Sequence, residues 1–190
     1  MKHLTCAFLV LSWLAATASA DSWIFPKKLV TKNSEFGESK LVLEIDGTKD
    51  QAFPPHTLSV YGGGQLLAKY RNVGFHKVYA SKDNKYFVGL SNSAIPGTAF
   101  VVFDAAGNLL REEKHDFLPH AMYTFRSITV LRVWFHEKNP DVEFDVQDGR
   151  LVGVFVRGSN NQKYNLLQRD LDFREVGVDR PPSRDEDAAD

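Results

Sequence analysis

The side chains able to do acid–base or metal chemistry in this chain are few and scattered. His56, His76, His115, His120 and His136 match no H-E-x-x-H or comparable ligand spacing, so no metal site is expected. His115, Asp116 and His120 form the only cluster of polar candidates for catalysis, around the loop Asp116–His120 (DFLPH). Asp83, Asp104 and Asp148 stand at turns, where a short carboxylate bonds the nearby backbone. They do not read as a paired acid and base. Gly62-Gly63-Gly64 lacks a following Lys-Ser/Thr and leads into a strand, so it is a hairpin turn and not a phosphate loop. No G-x-S-x-G presents a serine nucleophile. The expectation is a protein without catalytic residues, cofactor or metal.

Two loops are the better candidates for function. Ser91–Thr98 (SNSAIPGT) is too long for a tight hairpin and carries an apolar residue at its centre. Asp116–His120 places two large apolar side chains between strands. Loops held on a rigid β scaffold are where binding residues concentrate. Ser91, Asn92, Ser93 and Ile95, with Phe117, Leu118 and His120, are the expected partner-binding residues. Small polar groups flanking an apolar tip suit a protein partner's cleft. The competing reading tucks Phe117 and Leu118 under a sheet and folds Ile95 onto its own loop. Trp23, Trp134 and the many Phe residues suit a core, or a platform for stacking sugars.

Strands must position these loops. Between Phe75 and Lys114 four apolar runs rich in Val, Phe and Tyr alternate with turn residues: Phe75–Ala80, Tyr86–Leu90, Ala99–Phe103 and a run opening at Leu109. Further strands are expected at Lys40–Asp46, Thr57–Tyr61, Leu66–Tyr70, Met122–Phe135, Val142–Val146, Leu151–Arg157 and Tyr164–Leu167. Three turns end in Gly-x-Leu at Gly64, Gly107 and Gly149, 43 and 42 positions apart. Leu43, Val88 and Leu131 mark strand centres at steps of 45 and 43, and His76-x-x-Tyr79 recurs 44 on as His120-x-x-Tyr123. A step of about 43 residues with four strands each is a propeller blade. The expected fold is all-β, a small propeller-like assembly of about three antiparallel sheets, with a β-sandwich as the alternative. The apolar start at Trp23–Phe25 is expected to pair with a strand near Tyr164–Leu167 and close the structure.

The ends bear on compartment. Met1–Ala20 has Lys2, an apolar core from Leu4 to Leu14 and a small-residue cleavage site at Ala18-Ser19-Ala20, the pattern of a secretory signal peptide. Cys6, the only cysteine, leaves with it, so the mature chain has no disulfide, thiol nucleophile or thiolate ligand. The all-β domain is expected over residues 21–171, and 172–190 reads as a disordered charged tail. With 23 basic and 24 acidic side chains the chain is nearly neutral, and no basic stripe suggests nucleic acid or a membrane surface.

The signal peptide, the cysteine-free mature chain, the blade-like repeats and the SNSAIPGT and DFLPH loops together resemble periplasmic immunity proteins. These protect Gram-negative bacteria against peptidoglycan-amidase effectors of type VI secretion. The resemblance implies a periplasmic, non-enzymatic inhibitor that occludes the active site of a secreted cell-wall hydrolase with a loop. It carries over no individual contact residue. An envelope module binding a glycan or small ligand is the alternative.

Overall fold

The computed structural model describes residues 27–49, 54–126 and 131–168. The expected signal peptide, the pairing of Trp23–Phe25 and the charged tail lie outside the described residues. The fold is all-β. β1 (Leu29–Phe36), β2 (Ser39–Asp46), β3 (His56–Gly62) and β4 (Gln65–Arg71) form an antiparallel meander. β5 (Lys77–Ala80), β6 (Tyr86–Leu90), β7 (Thr98–Asp104) and β8 (Leu109–Lys114) form a second. After a 3₁₀ turn at His120–Met122, β9 (Phe125–Arg126) and β10 (Arg132–Val133) make a two-stranded ribbon. β11 (Glu143–Gln147), β12 (Arg150–Arg157) and β13 (Lys163–Asn165) make the third sheet. None of these sheets closes into a barrel.

The second sheet is the middle layer, because alternate side chains of a strand point to opposite faces. Phe87, Val101 and Phe103 pack with Leu41, Leu43, Leu58 and Val60 of the first sheet. Val88, Leu90, Phe100 and Val102 face the other way, onto Trp134, Val154, Val156 and Leu166. This two-sided burial explains the unbroken apolar run Ala99–Phe103, all of it buried. A strand with one wet face would instead alternate.

The first two sheets show the repeat strand for strand. Gly64, Gly107 and Gly149 close the β3–β4, β7–β8 and β11–β12 turns, all at positive φ (81°, 85° and 74°). Only glycine adopts this region freely. Their surroundings differ. A Cβ on Gly107 would lie 2.9 Å from the Ala68 Cβ, whereas Gly64 and Gly149 face open space. Gly107→Ala should therefore cost more than Gly149→Ala, about 2–3 against about 1 kcal/mol, since it adds overlap to backbone strain. Urea unfolding of the two variants measures the difference; equal losses would mean that only φ matters.

The third unit departs from expectation. Of the strand region expected over Met122–Phe135, the described residues hold the end of the 3₁₀ turn and the short strands β9 and β10. His120-x-x-Tyr123 thus lies on the 3₁₀ turn and its cap, whereas Lys77–Tyr79 of the first copy lies in β5. The segment around Trp134 is spent on bridging instead. Leu131 pairs with Ser93 and Phe135 with Gly158, each through an isolated bridge. In β1 only Leu29 and Val30 are an apolar pair, and hairpin pairing with β2 carries the polar stretch Thr31–Glu35 on as an edge strand.

Candidate functional site

Both expected binding loops leave the same end of the second sheet, and the structure brings them together. The His115 N–H donates to the Gly97 carbonyl at 2.9 Å. Arg132 ties them from above: its backbone N–H donates to the Asn92 carbonyl at 2.7 Å, and its guanidinium meets the Asp116 carboxylate at 2.5 Å.

Loop 91–98 is firmly held. The Ser93 N–H donates to Ser91 Oγ at 3.0 Å and the Ile95 N–H to Ser93 Oγ at 3.2 Å. These are local turns of the kind serine favours. Trp134 Nε1–H donates to the Ser91 carbonyl at 2.8 Å, and the Trp134 N–H to Asn92 Oδ1 at 3.2 Å. Ser91, Asn92, Ser93 and Ile95 are all buried. The loop therefore lies down as a wall and does not stand out as a tip. Asn92 is turned inward, onto the Trp134 segment.

In the second loop neighbouring side chains diverge. Leu118 is buried at 3 % exposure while Phe117 is 77 % exposed. His120 is exposed on the 3₁₀ turn. His115 is buried: the Tyr123 hydroxyl donates to the His115 carbonyl at 2.8 Å and so accepts from the His115 Nδ1–H at 3.0 Å. His115 is thus turned to Tyr123 and Asp116 to Arg132.

Beside the loops lies a cleft of about 260 Å³. One wall is a row across the first sheet, Val30 opposite Ile45 and Ile45 opposite His56, with Lys32 two residues along β1 on the same face. Phe75 backs it, and Ile95 and Pro96 form the facing wall. His76, Ser91 and Ser93 complete the lining, with Ser91 Oγ 3.3 Å from His76 Nδ1. Gly74 permits the walls to meet: a Cβ there would lie 2.8 Å from Pro96 Cδ and 2.9 Å from His56 Cδ2.

His56 is buried and its Nδ1–H donates to the Pro54 carbonyl at 2.8 Å. Burial holds its imidazole below the ordinary 6.5; the Pro54 carbonyl opposes the shift and Lys32 reinforces it. His76 shifts the same way, through desolvation first and then Lys32 and His56, against Glu137. As a residue His76 is exposed, so its shift counts for less in stability than that of His56. Below pH 6.5 the unfolded chain takes up a proton that folded His56 resists, so stability present above that pH is lost as the pH falls. Urea midpoints compared between about pH 7.5 and about pH 5 should fall less in His56→Gln than in the parent. An unchanged slope would remove His56 from the acid response.

Sequence reasoning passed over Lys32, His56, His76 and Phe75. No local pattern marks Lys32, which stands in the polar stretch Thr31–Glu35, and only the strand pairing Val30–Ile45–His56 brings it beside His56. No family model, curated protein or solved structure matches this chain.

Proposed function

We propose that this chain is a non-enzymatic binding protein of the periplasm that inhibits a secreted cell-wall hydrolase by blocking its active site. The observation that carries this reading is Phe117. Its ring is 77 % exposed, yet the residues on both sides are fastened, Asp116 to Arg132 and Leu118 into the core. The Phe117 N–H also donates to the Lys114 carbonyl at 3.0 Å. A large aromatic ring presented to water from a fastened backbone has much apolar area to bury on binding, and aromatic residues are enriched at interface cores. Entering a catalytic groove, it displaces water and closes the groove to substrate. The exposed His120 stands three residues on, able to hydrogen-bond polar groups at the groove edge. The side-chain oxygens of Ser91, Ser93 and Asn92 already accept from the protein's own backbone, so the plug centres on Phe117.

The test begins with capture from envelope extract on the tagged mature chain and identification of the bound protein by mass spectrometry. The captured protein is then assayed for release of soluble fragments from purified peptidoglycan. An equimolar amount of this chain should stop that release. A captured hydrolase that runs undiminished, or captured proteins without hydrolase activity, would overturn the reading.

A further inference from the structure

We propose that the cleft between the first sheet and loop 91–98 is a binding site for a small monocarboxylate with an apolar body of about one ring. This site is separate from the Phe117 ring, and it stands or falls independently of the inhibitor reading.

Its lining divides by chemistry. Val30, Ile45, Phe75, Ile95 and Pro96 supply apolar walls from two sides. The polar groups that reach it are Lys32, His56, His76, Ser91 and Ser93. Among the described residues of the lining, Lys32 is the one permanently charged side chain and none carries a carboxylate. Among the described residues Lys32 forms no salt bridge, so its ammonium is available to a ligand. Glu137 lies near enough to His76 to act on it electrostatically but does not line the cleft.

Size and charge then select the ligand. A cavity of about 150 Å³ holds benzene. The present volume, about 260 Å³, leaves room for a ring, a short arm and a head group. An ammonium head would meet Lys32 with no carboxylate to neutralise it, at a like-charge cost. A neutral alcohol would leave the charge unused. A carboxylate can accept from Lys32 and, at its second oxygen, from the Ser93 hydroxyl, whose oxygen accepts from the Ile95 N–H while its hydrogen can still be donated. The site is also built to stay open. His56 is braced by the Pro54 carbonyl, Ser91 and Ser93 are fixed by their own turns, and Gly74 keeps the base narrow.

The experiment is calorimetric titration of the mature chain with sodium 3-phenylpropionate, 3-phenylpropan-1-ol and 3-phenylpropylamine. The acid should bind at least about tenfold more tightly than the alcohol, and the amine more weakly than either. Lys32→Met, on the exposed edge strand, should weaken the acid about tenfold and leave the alcohol unchanged. Ile95→Trp should abolish binding of all three by filling the cleft, with thermal melting alongside to verify folding. Equal affinities for the three probes, an undiminished response of Lys32→Met to the acid, or no heat from any probe with the parent protein would overturn the proposal.

Discussion

Phe117→Asp should weaken binding of the captured hydrolase by about a thousandfold or more while leaving the melting temperature of the free protein unchanged. The two halves follow from the same exposure, 77 %. In the free protein the ring touches little, so an aspartate in its place stays hydrated and costs nothing of consequence. In the complex that position is desolvated, and an unpaired carboxylate there costs several kcal/mol; about 4 kcal/mol corresponds to the stated factor. Ile95→Asp is the contrasting variant. Ile95 is 8 % exposed against the cleft wall, so the substitution should lower stability and affinity together. Calorimetric titration and thermal melting of both variants separate the cases. Full affinity in Phe117→Asp would remove this ring from the interface.

Trp134→Ala should destabilise the protein by about 3–5 kcal/mol. The indole is fully buried among Phe100, at 6.0 Å between ring centroids, and Phe135, at 5.2 Å and edge-on. Truncation opens a large cavity and leaves the Ser91 carbonyl without its indole donor. For a domain whose whole stability is about 5–15 kcal/mol, such a loss is a large share. Trp134→Phe keeps most of the volume but not the N–H, so it should lose about 1–2 kcal/mol. Urea titrations with unchanged slope give both values. A loss under about 1 kcal/mol in the alanine variant would mean that the loop and the third sheet are held by other contacts.

Much of the strand pattern was legible because local chemistry determined it. Lys40–Asp46, Thr57–Tyr61 and Leu66–Tyr70 lie within one residue of β2, β3 and β4, and Tyr86–Leu90 coincides with β6. In each, β-branched and aromatic residues run between Gly, Asp or Asn turns. β1 was not legible in full, since Lys32, Asn33 and Ser34 have no strand preference and are held by pairing with β2. The third unit misled because its apolar run resembles a strand, while its use is set by Ser91 and Asn92, more than forty residues upstream in the chain. The candidate site was half visible. Loop chemistry pointed to Ser91, Asn92, Ser93, Ile95, Phe117, Leu118 and His120. Nothing local shows that Asn92 and Leu118 face inward, or that β-sheet register carries Lys32 and His56 to the same cleft.

The middle sheet belongs to two cores at once, and this couples the molecule's breathing. Either outer sheet can lift away and expose one apolar face. The central strands cannot come free without uncovering both. Their amide hydrogens, at Phe87–Leu90 and Phe100–Phe103, should therefore exchange with solvent only through global unfolding, later than those of β1 or β13. Loop 91–98 joins these two central strands directly. Any surface it presents is thus anchored to the last element to open.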